Sequence, residues 1–293
     1  MTQFLQQIVN GLSLGSIYAL IALGYTMVYG IIKLINFAHG DMYMLGAYFG
    51  FIAITILKLD FLPSLVITMT ATALIGILIE RIAYRPLRHS TRVVALITAI
   101  GVSFLLQNSV AKIMGVSIKG FPMDTLPTQT WRILGVVITL KQLIILVTAV
   151  VLMVLLTVIV QKTKVGRAMR AVAVDADAAR LMGINVDNII SLTFAIGSAL
   201  AAAAGILVGV YYNSIDPLMG VAPGLKAFVA AVFGGIGIIP GAMIGGFTIG
   251  ITEVLISGYW SSMFKDAIVY GLLIFVLLVK PSGLLGKNRK EKV

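Results

Sequence analysis

The chain reads as a succession of long apolar runs separated by short polar breaks. Crossing a hydrocarbon core of roughly 30 Å takes about 20 mostly apolar residues as a helix. Runs approaching that scale are predicted from Phe4 to Tyr29, Asp41 to Leu57, Phe61 to Ile79, Val93 to Met114, Leu140 to Val160 and Ile189 to Tyr212. Two shorter pieces, Leu225 to Ile238 and Ala242 to Ile256, precede a last run from Ala267 to Val279. The short pair reads as re-entrant helices or as tilted, truncated spans. The expected fold is therefore an all-α polytopic membrane domain of about eight spans, some of them short or re-entrant.

Composition agrees with that pattern and narrows the class. The 293 residues are 59% apolar and 11% charged, with a mean hydropathy of +1.05, so a water-soluble globule of this sequence would expose far too much hydrocarbon. One membrane domain over residues 1–293 is expected, with no room for a soluble one. The start, Met1-Thr2-Gln3-Phe4, lacks a basic flank and a small-residue cleavage site, so the first span reads as retained. The chain has no cysteine, which excludes disulfides, thiolate metal sites and cysteine nucleophiles.

Lysine and arginine set the expected orientation. Arg81, Arg85, Arg88 and Arg92 follow the third span; Lys162, Lys164, Arg167, Arg170 and Arg180 follow the fifth; Lys280, Lys287, Arg289, Lys290 and Lys292 form the tail. These hold most of the 22 basic residues, and alternating spans put all three regions on one side, cytoplasmic by the positive-inside bias. The amino terminus is then outside and the carboxyl terminus inside. The formal charge of +11 is mainly an orientation signal. Because it is divided among short loops without interleaved aromatic residues, nucleic acid is not an expected partner. Two external segments result, Met114 to Leu140 with Lys119, Asp124 and Arg132, and Asn213 to Lys226 with Asp216. Either can serve as a docking surface or as a plain connector.

A weak internal symmetry accompanies this layout. The span ending Leu23-Gly24-Tyr25, the irregular Ile31 to Gly40 and the following helix have the same outline as Ile189 to Tyr212, the Pro- and Gly-interrupted Asn213 to Gly224, and the helix from Leu225. The two units start on opposite sides, the outline of an inverted repeat, common in transporters. Glycine pairs four apart, among them Gly11/Gly15, Gly46/Gly50, Gly205/Gly209, Gly241/Gly245 and Gly246/Gly250, read as helix-packing seams.

The interval Lys162 to Asn188 is a charged stretch between two long apolar runs. Asp175 is expected to cap a helix from Ala176, Asp177 suits its positive first turn, and Gly183 supplies a left-handed stop. Helical spacing places Ala178, Leu181 and Met182 together, on a face that can press into a partner's groove or lie on lipid headgroups. Asp187 is expected to cap the next span.

Here the motifs become specific. Asp177-Ala178-Ala179 followed by Gly183 resembles the Glu-Ala-Ala plus glycine signature of bacterial ABC import permeases, with aspartate in place of glutamate. Gly166-Arg167-Ala168-Met169-Arg170-Ala171, Gly183-Ile184-Asn185-Val186, Asn36-Phe37-Ala38-His39-Gly40, and Leu225-Lys226-Ala227-Phe228 leading into Gly234-Gly235-Ile236-Gly237 resemble the branched-chain amino acid permease family of LivH type. The likeness runs from about Gly11 to Gly286. It implies an ATPase-coupling segment that includes Arg167, Arg170, Asp175, Asp177, Ala178, Ala179, Arg180, Leu181, Met182 and Gly183. It also implies a second related permease subunit, two cytoplasmic ABC ATPases that bind ATP and Mg, and an external binding protein that delivers an amino acid.

The remaining polar positions are candidates for a substrate path or gate: Asn36, Phe37, His39, Gln107, Asn108 and Glu253. Asn36 and Gly40 also suit a turn and Asp41 a helix cap, while a titratable His39 in an irregular membrane segment is a functional candidate. Gln107 and Asn108 can bond between helices or line a path. Glu253 sits in an apolar run where an unpaired acid costs about 3 kcal/mol, so a salt bridge with Lys265 is expected. Neither histidine has the neighbours of a metal site. No Gly-x-x-x-x-Gly-Lys-Ser/Thr loop occurs, so no cofactor is expected on this chain and ATP hydrolysis belongs to partners. The expected function is passage of branched-chain amino acids through the inner membrane. Urea or short amides as cargo, or an autonomous channel or secondary transporter, are the alternatives.

Overall fold

A computed structural model describes residues 2–34, 36–88, 90–122, 126–127, 129–133 and 135–286. Met1, His89, Asp124, the side chain of Arg92 and the tail residues Lys287, Arg289, Lys290 and Lys292 lie outside that description. The helices are α1 (Thr2–Ile32), α2 (His39–Thr55), α3 (Phe61–Ile79), α4 (Arg92–Met114), α5 (Leu140–Lys162), α6 (Lys164–Val174), α7 (Ala176–Leu181), α8 (Val186–Tyr212), α9 (Val221–Gly234), α10 (Ile239–Tyr259) and α11 (Lys265–Val279). A π turn, Glu80–Tyr84, and a 3-10 turn, Arg85–Leu87, prolong α3.

Six helices, α1, α3, α4, α5, α8 and α10, are long and apolar enough to cross a membrane. The pair expected to be short divides differently. Only α9, of 14 residues, is a short helix, whereas α10 runs for 21 and is a full span. Its start is fixed by Pro240, which a helix tolerates in its first turn because the N–H there has no intrahelical acceptor. Of the most apolar stretch, 78% is buried in both α1 and α8 against 17% in α4. The bundle therefore has an inner layer around α1 and α8 and an outer layer whose leucine, isoleucine and valine side chains are exposed on its surface.

The two halves pack as an inverted repeat. α1 lies along α10 as α8 lies along α3; α2 packs on α8 as α9 packs on α1. The long helices cross at Gly24 and Gly197, and the first turns of α2 and α9 meet at Gly40, Gly220 and Gly224. The glycine pairs form the expected seams. A β-carbon at Gly46 would fall on the Ala202 backbone, one at Gly205 on Tyr43, and one at Gly246 on Ala19.

At one end the chain forms α6 and α7. At this same end the last turn of α3 is tied to the start of α8, and Gly237 lies against Gly30 of α1. Leu284 and Leu285 donate backbone hydrogen bonds to Phe233 and Gly234 there. The described basic segments thus share one end of the bundle. The other end carries an antiparallel hairpin, β2 (Thr130–Ile133) with β3 (Val136–Thr139), and a second antiparallel pair, β1 (Lys119–Gly120) with β4 (Ser214–Ile215). Lys226, expected in an external segment, is instead buried in α9.

The seams give a direct test. Gly205→Leu is expected to abolish monodisperse folded protein in fluorescence-detected size exclusion, because the side chain displaces backbone rather than a rotamer. Gly271→Ala, whose β-carbon meets only open space, is expected to leave the elution profile and melting temperature almost unchanged. Equal tolerance of both would mean that the α2–α8 approach is not as close as described.

Candidate functional site

The polar interval between α5 and α8 folds as its capping residues dictate. Thr163 caps α6 by accepting from the Gly166 amide at 3.0 Å, and a β-carbon at Gly166 would strike the Ile159 and Val160 carbonyls. That close approach turns the chain from α5 into α6. Asp175 then caps α7 by accepting from the amides of Asp177 and Ala178, both at 2.9 Å. Gly183 ends the segment at φ +80°, a left-handed conformation that glycine adopts without a Cβ penalty. The Asp175 cap and the Gly183 stop match the sequence expectation; the Thr163 cap and α6 were not expected.

The face of α7 divides its residues. Ala179 is buried against a cluster with Tyr84, Val172, Val186, Ile190 and Phe194, so it anchors the helix to the bundle. Ala178 is exposed, and Leu181 and Met182 are 89% and 82% exposed. Two large apolar side chains thus stand exposed at the tip of a polar end. Arg167 is exposed, as are Asp177 and Arg180, which pair at 3.4 Å. Arg170 does different work: its guanidinium donates to the Val160 carbonyl at the end of α5, which caps that helix.

Asp187 is not the cap of α8. That role belongs to Asn185, which accepts from the Asn188 amide at 3.1 Å. Asp187 instead pairs with Arg85 and Arg88, and Arg88 also pairs with buried Glu80, to which Ser191 donates. This ionic group fastens the π turn of α3 to the start of α8 beside α7. From the same π turn, the Tyr84 hydroxyl donates to Asn36 Oδ1 at 2.6 Å. Asn36 opens the turn that leads into α2, accepting the His39 amide at 3.0 Å. Contacts are thus continuous from Ala179 to the first turn of α2.

The first turn of α2 borders a cavity of about 220 Å³ lined by Tyr25, Phe37, Asp41, Ser103, Phe104 and Gln107, with backbone from Gly220 and Gly224. Phe37 and Gln107 reach this space; the other path candidates do not line it. Asn108 is exposed and bonds Phe104 of its own helix. His39 is buried, with Nε2 packed toward Gly24 and no hydrogen-bond partner for that atom among the described residues; its ring meets Tyr25 edge-on at 4.6 Å. Asp41 is a correction as well. The N-cap position of α2 belongs to Ala38, and the Asp41 carboxylate accepts from Gln107 Nε2 at 2.9 Å across to α4. An acid near the start of an apolar helix suits a cap as well as a bond to a neighbouring helix, and here it makes the second.

Glu253 has the partner expected and two closer ones. Lys265 stands at 3.6 Å, but Lys226 Nζ lies at 2.6 Å and the Tyr18 hydroxyl at 2.8 Å. Lys226 also holds Asp266 at 2.7 Å. The group ties α1, α9, α10 and α11 together at the end opposite α7. Among the described residues no three His, Asp or Glu side chains converge as a metal site.

A family model described as "Branched-chain amino acid transport system / permease component" matches residues 7–277. The chain belongs to that family. As a member, it is a transport permease component rather than an enzyme. It is 48% identical over 302 residues to the high-affinity branched-chain amino acid transport system permease protein BraD of Pseudomonas aeruginosa, covering 99% of this chain and 98% of that one. To the permease protein LivH of Escherichia coli K12 it is 47% identical over 307 residues, with the same coverage. A probable LivH of Methanocaldococcus jannaschii is 30% identical over 295 residues, 94% of this chain and 90% of that one. Among solved structures, a chain of PsaBC from Streptococcus pneumoniae, determined in complex with Fab, superposes with a TM-score of 0.51 at 13% identity, covering 95% and 92%. That likeness concerns the fold alone.

The ionic tie in this family permease predicts unequal costs. Arg88→Gln leaves Glu80 buried without its cation, a loss on the order of 3–5 kcal/mol, and is expected to lower the melting temperature of the purified protein clearly. Arg180→Gln breaks only an exposed pair and should leave it nearly unchanged. Matching shifts for the two variants would count against a structural role for the buried pair.

Proposed function

We propose that this chain is the membrane-spanning permease subunit of an ATP-driven importer for leucine, isoleucine and valine. The relationship at 46–48% identity over nearly its whole length to high-affinity branched-chain amino acid permeases carries this reading. The subunit would pair with a second related permease, receive its cargo from an external binding protein, and be driven by two cytoplasmic ATPases that hold ATP and Mg. Its location is then the bacterial inner membrane. The gathering of basic segments at the α7 end supports a cytoplasmic carboxyl terminus and an external amino terminus.

Residues 162–188 form the coupling segment in this reading. The exposed tip of α7 supports ATPase docking through Ala178, Leu181 and Met182, with Asp177, Arg180 and Arg167 around it. Ala179 faces inward, so movement of the helix bears on Tyr84 and the start of α8, and through Asn36 on the junction of α2 and α9. Closure of the ATPases would rock the two repeats and alternate access to the space between them. The cavity's few polar groups support weak contact with the cargo.

Two measurements test this. Proteoliposomes carrying the whole importer should take up leucine, isoleucine and valine in an ATP-dependent manner, and excess urea should not compete. Uptake that persists with catalytically dead ATPases would defeat the reading. Ala178→Arg is expected to insert normally in the membrane yet lose ATPase co-purification or transport. Normal transport by this variant would remove α7 from the interface.

A further inference from the structure

Three carboxylates are buried among the described residues: Asp41, Glu80 and Glu253. Glu80 is paired with Arg88 and Glu253 with Lys226. Asp41 is 2% exposed, and no lysine or arginine among the described residues lies within ion-pair distance of it. Burying a carboxylate is costly unless hydrogen bonds and a cation compensate. A hydrogen bond is present, from Gln107 at 2.9 Å, and the same Gln107 amide also donates to Ser103 Oγ at 3.0 Å. That donor is neutral, and an ionised carboxyl has about four acceptor sites, so it leaves most of the capacity open. The cation is what this site lacks.

Asp41 is also placed where a solute can reach it. It stands in the wall of the 220 Å³ cavity, beside the rings of Tyr25, Phe37 and Phe104. The opposite wall is backbone at Gly220 and Gly224, and Gly40 approaches them so closely that any side chain there would collide. The space is thus mostly apolar with one acid, too small for the roughly 300–1,000 Å³ typical of drug-sized ligands and suited to a small solute with one cationic and one aliphatic part.

We propose that Asp41 receives the α-ammonium group of the amino acid as it passes between α2, α4 and α9. The cargo brings the missing cation, Gln107, itself held by Ser103, orients the carboxylate, and the three aromatic rings cover the aliphatic side chain. One charged contact in a cavity of this size favours passage over storage, and it selects for an amine without demanding a particular branched side chain. This assignment rests on the amino-acid cargo proposed above.

Asp41→Asn keeps the shape of the side chain and an oxygen to accept from Gln107 while removing the charge. In proteoliposomes with the complete importer, leucine uptake by this variant is expected to fall by about tenfold or more, the scale of one lost charge-assisted contact. Asp41→Glu, which keeps the charge, should regain part. Since the chain has no cysteine, Ser103→Cys places a single thiol of this subunit beside the carboxylate. Its alkylation in the permease–ATPase complex is expected to slow with excess leucine and not with 4-methylpentanoate, the same skeleton without the amino group. The thiol measurement decides if Asp41→Asn fails to assemble. Wild-type uptake by an assembled Asp41→Asn variant overturns the assignment, as does equal protection by the two compounds, or protection by sodium ions and not by leucine. A wild-type importer that moves none of the three amino acids counts instead against the functional reading.

Discussion

Helices in a bilayer gain little by hiding apolar surface from lipid, so their association depends on backbones that approach closely enough to pack and on buried polar groups that find partners. In this permease the approach is made by glycine and alanine. α1 and α10 lie against each other along Gly11, Gly15, Ala19, Gly246 and Gly250, and α2 and α8 along Gly46, Ala202 and Gly205. The crossing of α1 and α8 at Gly24 and Gly197 brings the two repeats together at their centre. Only because these four helices are so close are the polar first turns of α2 and α9 surrounded by protein rather than hydrocarbon, the condition under which interrupted helices are tolerated in a membrane.

The buried charges divide the bundle by function. At the α7 end, Glu80, Arg88, Asp187 and Arg85 join the α3 turn to the start of α8. At the opposite end, Tyr18, Glu253, Lys226 and Asp266 join α1, α9, α10 and α11. Both groups supply their own countercharges, so they act as fastenings between helices. Asp41 lies between them with no lysine or arginine partner among the described residues, bonded to Gln107 and next to open space. The charges at the two ends thus bind helices to one another, and the proposed cargo contact falls on the buried acid among them that has no such countercharge.

Much of the candidate coupling segment was legible because capping is local chemistry. Asp175 bonds amides two and three residues on, and Gly183 is needed where a left-handed residue ends the helix; neither depends on a distant element. Asp187 and Asp41 misled for the same reason. Each stands where a capping acid belongs, but Arg85 and Arg88, more than ninety positions earlier, claim the first, and Gln107 claims the second. Lys226 was similarly placed in a loop by hydropathy, because the acids that make its burial tolerable come from α10 and α11.

Hydropathy, the placement of lysine and arginine, glycine spacing and local caps determined by themselves that the chain is a polytopic helical membrane protein with the outline of an inverted repeat and a capped two-turn helix between two spans; the permease reading came from the resemblance of its motifs to a family. These features reflect the length of a bilayer crossing and bonds between near neighbours, which any single stretch of sequence contains. The tertiary structure alone decided which acids are paired, that Ala179 turns inward while Leu181 and Met182 turn out, and that Asp41 faces a cavity with no lysine or arginine beside it among the described residues. Those outcomes depend on which distant helices meet, and in a chain whose spans are nearly all apolar, one-dimensional patterning carries little information about which faces do so.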